Sequence, residues 1–307
     1  MHEYLHISDE VRAAIEDGGS VVALESTVIA HGLPHPTNIE TALELESIIR
    51  AAGAIPATIA VLGGRIRVGL AREEIERLAR NEGVLKLGTR DLPGAITSGA
   101  DGATTVSATA FIAARAGIRV FVTGGIGGVH RGSERTGDVS SDLWELANTS
   151  IIVVCAGAKA ILDLPATLEW LETHQIPVVG YRTDEFPGFY SPRTGLPVER
   201  VDDADEVAAR FAAQRSLGMR GAMLVAVPVP EESKLDLSSE IEEAVRDAER
   251  LGIRGKELTP WLLARLDELS GGASVRTNIA LLANNARIGA EIAKSLSENS
   301  GARAQLD

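Results

Sequence analysis

The sequence predicts an α/β fold: a single compact αβα domain with a largely parallel central sheet and a small β-hairpin insertion. Three observations predict it. Short β-branched runs alternate with longer stretches rich in Ala, Leu, Glu and Arg that have a helical period, the order that crossover helices and a parallel sheet require. Several of the short runs, Ile151-Ile152-Val153-Val154 for example, are apolar at every position rather than alternately, as strands covered on both faces are. One stretch departs from the pattern: Gly63-Gly64 separates two β-prone arms, which is a hairpin signal.

Taken in order, the apolar runs place strands over 21–24, 54–61, 120–122, 151–154, 178–181 and 222–226. Helical periodicity places helices over 37–52, 72–80, 107–116, 140–148, 158–173 with a break at Pro165, 204–217, 237–251, 260–269 and 274–295. Gly, Pro and Asn punctuate the joins, and the hairpin occupies 55–71. No low-complexity linker interrupts the middle, so one domain over 1–307 is expected, with a tail at 297–307 expected to fray.

Composition narrows the function classes. The 30 Lys and Arg residues against 43 Asp and Glu give a net charge of −13, which argues against nucleic acid as a partner, because phosphate backbones need clustered surplus cations. No apolar run approaches the ~20 residues of a membrane span, and residues 1–17 lack the apolar stretch of a secretory signal. The single cysteine, Cys155, excludes an intramolecular disulfide and fits a reducing compartment, so a cytoplasmic protein is expected. Only five of the cations are lysines, Lys86, Lys159, Lys234, Lys256 and Lys294, and each invites inspection.

Some signals fail on inspection. Gly124-Gly125-Ile126-Gly127-Gly128 has His130 where a dinucleotide fingerprint needs its third glycine. Gly255-Lys256 is followed by Glu257 and is not a phosphate loop. His31 and His35 are four apart, but Gly32, Pro34 and Pro36 break any helix that would pair them, so a turn is the simpler reading.

Other polar residues fall just after strands, where parallel sheets bind ligands. Glu25 follows the strand 21–24; it is either a helix-start carboxylate or an acid at a site. Lys159 follows the apolar run 151–154 at the predicted start of a helix. A helix N-terminus is the wrong end for a cation, and a desolvated amine held neutral there is what a Schiff-base nucleophile requires. Lys86 sits in a predicted loop with Arg90 close by, as a surface cation or an anion clamp. Thr123, the glycines after it, His130 and Arg131 form a loop whose backbone N–H groups suit a phosphate. Asp138 and Asp142 flank Ser140 and Ser141; they either cap the next helix or offer a carboxylate to a hard, hydrated divalent ion. Asn278, Asn284 and Asn285 lie in a helical pattern where asparagine is not favoured, facing a site or another subunit.

These blocks together resemble the pseudouridine-5′-phosphate glycosidase family, which is related to indigoidine-synthesis proteins. The matching stretches are 23–34 (ALESTVIAHGLP), 102–109 (GATTVSAT), 123–132 (TGGIGGVHRG), 138–142 (DVSSD), 154–159 (VCAGAK), 180–187 (GYRTDEFP) and 277–287 (TNIALLANNAR), in order along nearly the whole chain. The resemblance implies a cytoplasmic homotrimer that splits the C–C glycosidic bond of pseudouridine 5′-phosphate into uracil and ribose 5-phosphate, with one divalent ion per subunit, Mn²⁺ or alternatively Mg²⁺. It assigns Glu25 as proton donor, Lys159 as covalent nucleophile and Asp138 as metal ligand. Substrate contacts fall to Lys86, Val106, Ser140, Ser141 and Asp142, with Thr123, His130 and Asn278 added at the phosphate. Two other readings stay open on the residues alone: a Schiff-base aldolase acting on a sugar phosphate, and a non-catalytic sugar-phosphate or nucleotide sensor.

Overall fold

A computed structural model describes residues 3–253, 255 and 258–304. Lys256 and the end of the expected frayed tail, residues 305–307, lie outside the described residues. The strands are β1 (Leu5–Ile7), β2 (Val21–Leu24), β3 (Ile55–Leu62), β4 (Arg65–Val68), β5 (Leu85–Leu87), β6 (Gly102–Thr104), β7 (Val120–Val122), β8 (Ile152–Cys155), β9 (Val178–Tyr181), β10 (Glu199–Val201) and β11 (Met223–Ala226). The helices are α1 (Asp9–Glu16), α2 (Thr37–Ala51), α3 (Arg72–Arg80), α4 (Leu92–Ser98), α5 (Val106–Ala116), α6 (Ser133–Thr136), α7 (Ser141–Asn148), α8 (Leu164–Thr173), α9 (Ala204–Ser216), α10 (Ser238–Leu251), α11 (Leu258–Leu269) and α12 (Ala273–Ala304).

The central strands run β3-β2-β7-β8-β11-β9-β10, each pair parallel. Every residue of β2, β7, β8 and β11 is buried, which is why these runs carry no polar alternation. Each fully buried aliphatic side chain there contributes roughly 1.5–3 kcal/mol relative to exposure. The helices α2, α9 and α12 pack together over one side of the sheet, and α5 packs with α7 against its strands. Helix α12 lies close enough to β7 that a Cβ on Gly289 would strike the Val122 side chain. Buried in β8, the Cys155 thiol is pushed up to about 12 and stays a free, protonated core group.

The hairpin forms as predicted, β3 pairing antiparallel with β4 around Gly63 and Gly64, both in the left-handed region. Here the sheet is more elaborate than the sequence indicates. Strand β6 also pairs antiparallel with β3, β5 pairs parallel with β6, and β1 pairs parallel with β4. Strands β1, β5, β6 and β10 have three residues each, too short to show a period. Lys86, expected in a loop, therefore lies on a strand.

The second difference concerns the predicted helix 158–173. It begins only at Leu164, capped by Asp163, whose side chain accepts from the Ala166 N–H, and has Pro165 in its first turn. Residues before it are held as a loop: the Lys159 N–H donates to Ile126 O at 3.1 Å, and Ala158 bridges Ile126. Lys159 therefore stands in a loop and not in the first turn of α8, so the dipole argument made from the sequence does not apply through that helix.

Candidate active site

The carboxyl ends of β2, β7 and β8 lie side by side, and each is followed by a polar group. Glu25 follows β2, Thr123 follows β7, and Lys159 stands at the far end of the short loop after β8. They open on a cavity of about 330 Å³. The same cavity is lined by Lys86, Val106, His130, Asp138, Ser140, Ser141, Asp142 and Asn278. Every residue that the family resemblance assigns to the site therefore lines one space, although these residues come from positions 25 to 278.

Glu25 is held by two hydroxyls: Thr27 Oγ1 donates to one carboxylate oxygen and Thr123 Oγ1 to the other. Thr123 is fixed in turn from α12, because Asn285 Nδ2 donates to its carbonyl at 2.9 Å. Asn285 is fully buried and is the member of the asparagine group that orders this wall, while Asn278 reaches the cavity.

Asp142 is buried at 6% exposure, and both of its oxygens accept from backbone. Oδ1 takes the Ser107 N–H and Oδ2 the Gly127 N–H, each at 2.9 Å. The carboxylate thus staples the start of α5 to the glycine loop after β7. Gly127 allows that approach, since a Cβ there would strike Ser140 Oγ and Asp142 Oδ2. Ser140 caps α7, its Oγ accepting from the Asp142 N–H at 3.2 Å, so the capping reading holds for a residue that also lines the cavity.

Val106 is the first residue of α5. The backbone N–H groups of a first helical turn have no partners within the helix and attract anions. Lys86, on β5, stands within electrostatic reach of both His31 and His130. Burial holds His130 below the usual histidine range; Asp138 pulls it back up, while Lys159 and Lys86 push it down. The two lysines and the α5 terminus give this part of the cavity a positive potential in an acidic chain. No cluster of three or more His, Cys, Asp or Glu side chains among the described residues forms a metal cage. Asp138, half-exposed on the cavity wall, offers one carboxylate, which suits a divalent ion that keeps most of its water.

Several lining residues fall outside the roles assigned from the sequence, Thr27, Phe189 and His31 among them. Thr27 was legible as a hydroxyl two residues from Glu25. Phe189 has a left-handed backbone, φ 65°, and its ring fills the space a Cβ on Gly125 would need. His31, read as part of a turn, lies in a π-helical turn (Val28–Gly32) and lines the cavity, whereas His35 does not. Helix α11 adds Thr259, Pro260 and Leu263 to the lining.

A family model described as indigoidine synthase A like protein matches residues 10–295. A pseudouridine-5′-phosphate glycosidase of Caldanaerobacter subterraneus subsp. tengcongensis is 54% identical over 302 residues, covering 97% of this chain and 98% of its own length. Among solved structures, the prealnumycin C-glycosynthase AlnA in complex with ribulose 5-phosphate superposes with a TM-score of 0.91 at 40% identity, covering 98% of this chain and 99% of that one. An indigoidine synthase A-like protein of Thermotoga maritima does so with a TM-score of 0.87, also at 40% identity, covering 95% and 96%.

Proposed function

The chain belongs to the indigoidine synthase A like family, and from that membership we propose that it is a pseudouridine-5′-phosphate glycosidase, cleaving the nucleotide reversibly to uracil and ribose 5-phosphate in nucleotide breakdown. The observation that carries this reading is the convergence of Glu25, clamped by two threonines, with Lys159 and Lys86 on one cavity at the strand ends. The relative's name supplies the reaction, and the pentose phosphate in the neighbouring structure supplies the ligand class.

A C–C glycoside has no leaving-group oxygen to protonate, so the two-carboxylate chemistry of O-glycosidases does not transfer. Opening the ribose solves this. Glu25, as general acid, gives a proton to the ring oxygen as the C1′–O4′ bond breaks, with the electron pair supplied by the uracil ring. Lys159 Nζ then bonds C1′ and loses a proton. Protonation of uracil C5 accompanies cleavage of C1′–C5 and leaves C1′ as a lysine imine. Water hydrolyses the imine, freeing the amine and ribose 5-phosphate. The Thr27 and Thr123 hydroxyls aim the Glu25 carboxyl throughout.

Lys86 and the first turn of α5 at Val106, with Ser140 and Ser141, would hold the phosphate. His130, Thr123 and Asn278 complete the substrate wall. Asp142 positions the backbone of this cradle through Ser107 and Gly127. Asp138 would hold one divalent ion, Mn²⁺ or Mg²⁺, which when bound supplies a Lewis acid and ordered water. A homotrimer in the cytoplasm completes the proposal. No helix among the described residues is long and apolar enough to cross a membrane.

Incubation with pseudouridine 5′-phosphate tests the reaction: uracil release, suppressed by EDTA and restored by Mn²⁺, is expected, and no release overturns it. Borohydride trapping with peptide mass spectrometry tests the adduct, which is expected on Lys159. The aldolase reading predicts trapping without uracil, and the sensor reading predicts ligand binding without turnover.

A further inference from the structure

Helix α7 carries a second buried carboxylate that the proposed chemistry leaves without a role. Glu145 is 8% exposed, and both of its oxygens accept from threonine hydroxyls. Oε2 takes the Thr89 hydroxyl at 2.9 Å, across 56 positions of sequence; Oε1 takes that of Thr149, the residue that ends α7. Burying a carboxylate is costly unless its lone pairs are filled, and hydrogen bonds to an ionised acceptor are the strong ones. The Glu145–Thr89 bond is therefore a firm tie between α7 and a distant segment.

That segment belongs to the cavity. Thr89 opens the single 3₁₀ turn Thr89–Asp91 directly after β5, and Gly88, Arg90 and Asp91 line the cavity. The turn is closed on itself by Asp91, whose Oδ2 accepts the Gly88 N–H at 3.0 Å. Strand β5, which carries Lys86, is three residues long and pairs with β6, so the sheet holds it along one edge. Gly88 faces α7 and α5: a Cβ there would lie 3.4 Å from both Ser141 Oγ and Ser107 Oγ. Asp142 and Glu145, three apart, share a face of α7. Asp142 holds the start of α5 and the glycine loop, and Glu145 holds the turn after β5. One helix face thus sets the spacing among Lys86, the first turn of α5, and the serines at the start of α7.

We propose that Glu145 is a positioning residue for the substrate's phosphate, acting through Thr89 to hold Lys86 and the Gly88–Asp91 turn at the distance from Ser140 and Ser141 that one phosphate spans. The inference rests on the phosphate-binding role given above to Lys86 and these serines. Its test compares wild type, Thr89→Val and Glu145→Gln on pseudouridine 5′-phosphate. Thr89→Val keeps the shape of the side chain and removes the donated hydrogen; it is expected to raise KM by about 3–10-fold with kcat kept. Glu145→Gln, whose carbonyl oxygen can still take the Thr89 hydroxyl, should fall between the two. In a Lys86→Met background Thr89→Val should add no further loss, because the group it positions is gone. A lowered Tm with KM unchanged, a loss that falls on kcat, or a full additional loss in the Lys86→Met background each overturns the proposal and makes Glu145 a residue of folding alone.

Calorimetry with ribose 5-phosphate reads the same coupling without turnover. Binding weakened about 3–10-fold by Thr89→Val, and by nothing further once Lys86 is methionine, would uphold the role of Glu145 even in a protein that releases no uracil, where the glycosidase reading falls. Uracil release with an unchanged ribose 5-phosphate affinity in Thr89→Val would do the reverse.

Discussion

Two walls of the cavity are built by different means. One is the row of parallel strand ends β2, β7 and β8, carrying Glu25, Thr123 and Lys159; the other is the mixed flank of β5, β6 and the first turn of α5, carrying Lys86 and Val106. The strands of the first wall are wholly buried, and their register is fixed on both edges. The second depends on three-residue strands and on Asp142, which ties it to the first through two backbone N–H groups. On the proposed mechanism, the groups that would exchange protons and form a bond stand on the wall built from buried strands, where catalytic geometry is best held, and the proposed phosphate cradle stands on the other.

If that division is right, the walls fail differently. Lys159→Ala should abolish uracil release, by about 10³-fold or more, and eliminate borohydride trapping, with the circular dichroism spectrum unchanged. Glu25→Gln should cost about 10²–10⁴-fold, falling in kcat. Across the cavity, Lys86→Met should raise KM by roughly 10–100-fold, the worth of one charge-assisted hydrogen bond, with kcat largely kept; steady-state kinetics separate the two patterns. A kcat collapse in Lys86→Met would erase the distinction.

Asp142→Asn sharpens the comparison because it acts on the joint. Its amide cannot accept from both N–H groups, so one buried donor is left unmade at about 1–3 kcal/mol. Lower Tm, raised KM and lowered kcat are expected together. Asn285→Ala reaches only the first wall: Thr123 O loses its 2.9 Å donor, and a fall in kcat of about 3–10-fold with KM kept is expected.

The smallest effect is a pH slope. His31 titrates below its ordinary 6.5 when folded. Between that depressed value and 6.5 the unfolded chain binds a proton that the native state refuses. Stability should therefore fall as pH drops through 6.5, and Tm against pH should be shallower for His31→Gln.

The two walls also differ in how far they could be read in advance. The strands of the first were legible to within a residue, because burial on both faces writes an uninterrupted apolar run. Lys86 was misplaced in a loop because β5, three residues long and exposed at Leu85, shows neither a buried apolar run nor a period. The helix assigned to 158–173 failed at its start because the Ile126 carbonyl, far away in sequence, captures the Lys159 N–H.

Sequence alone determined the parallel core and which unusual polar residues stand beside it, since both are written in contiguous residues. Tertiary structure decided what those residues meet. Thr123 reaches Glu25 across 98 positions, and Asp142 reaches Ser107 across 35. Local periodicity reports which face of an element is buried, but not which distant donor arrives there. That is why Asp142 emerges as a staple, Asn285 as an anchor and His31 as a residue of the cavity only when the chain is folded.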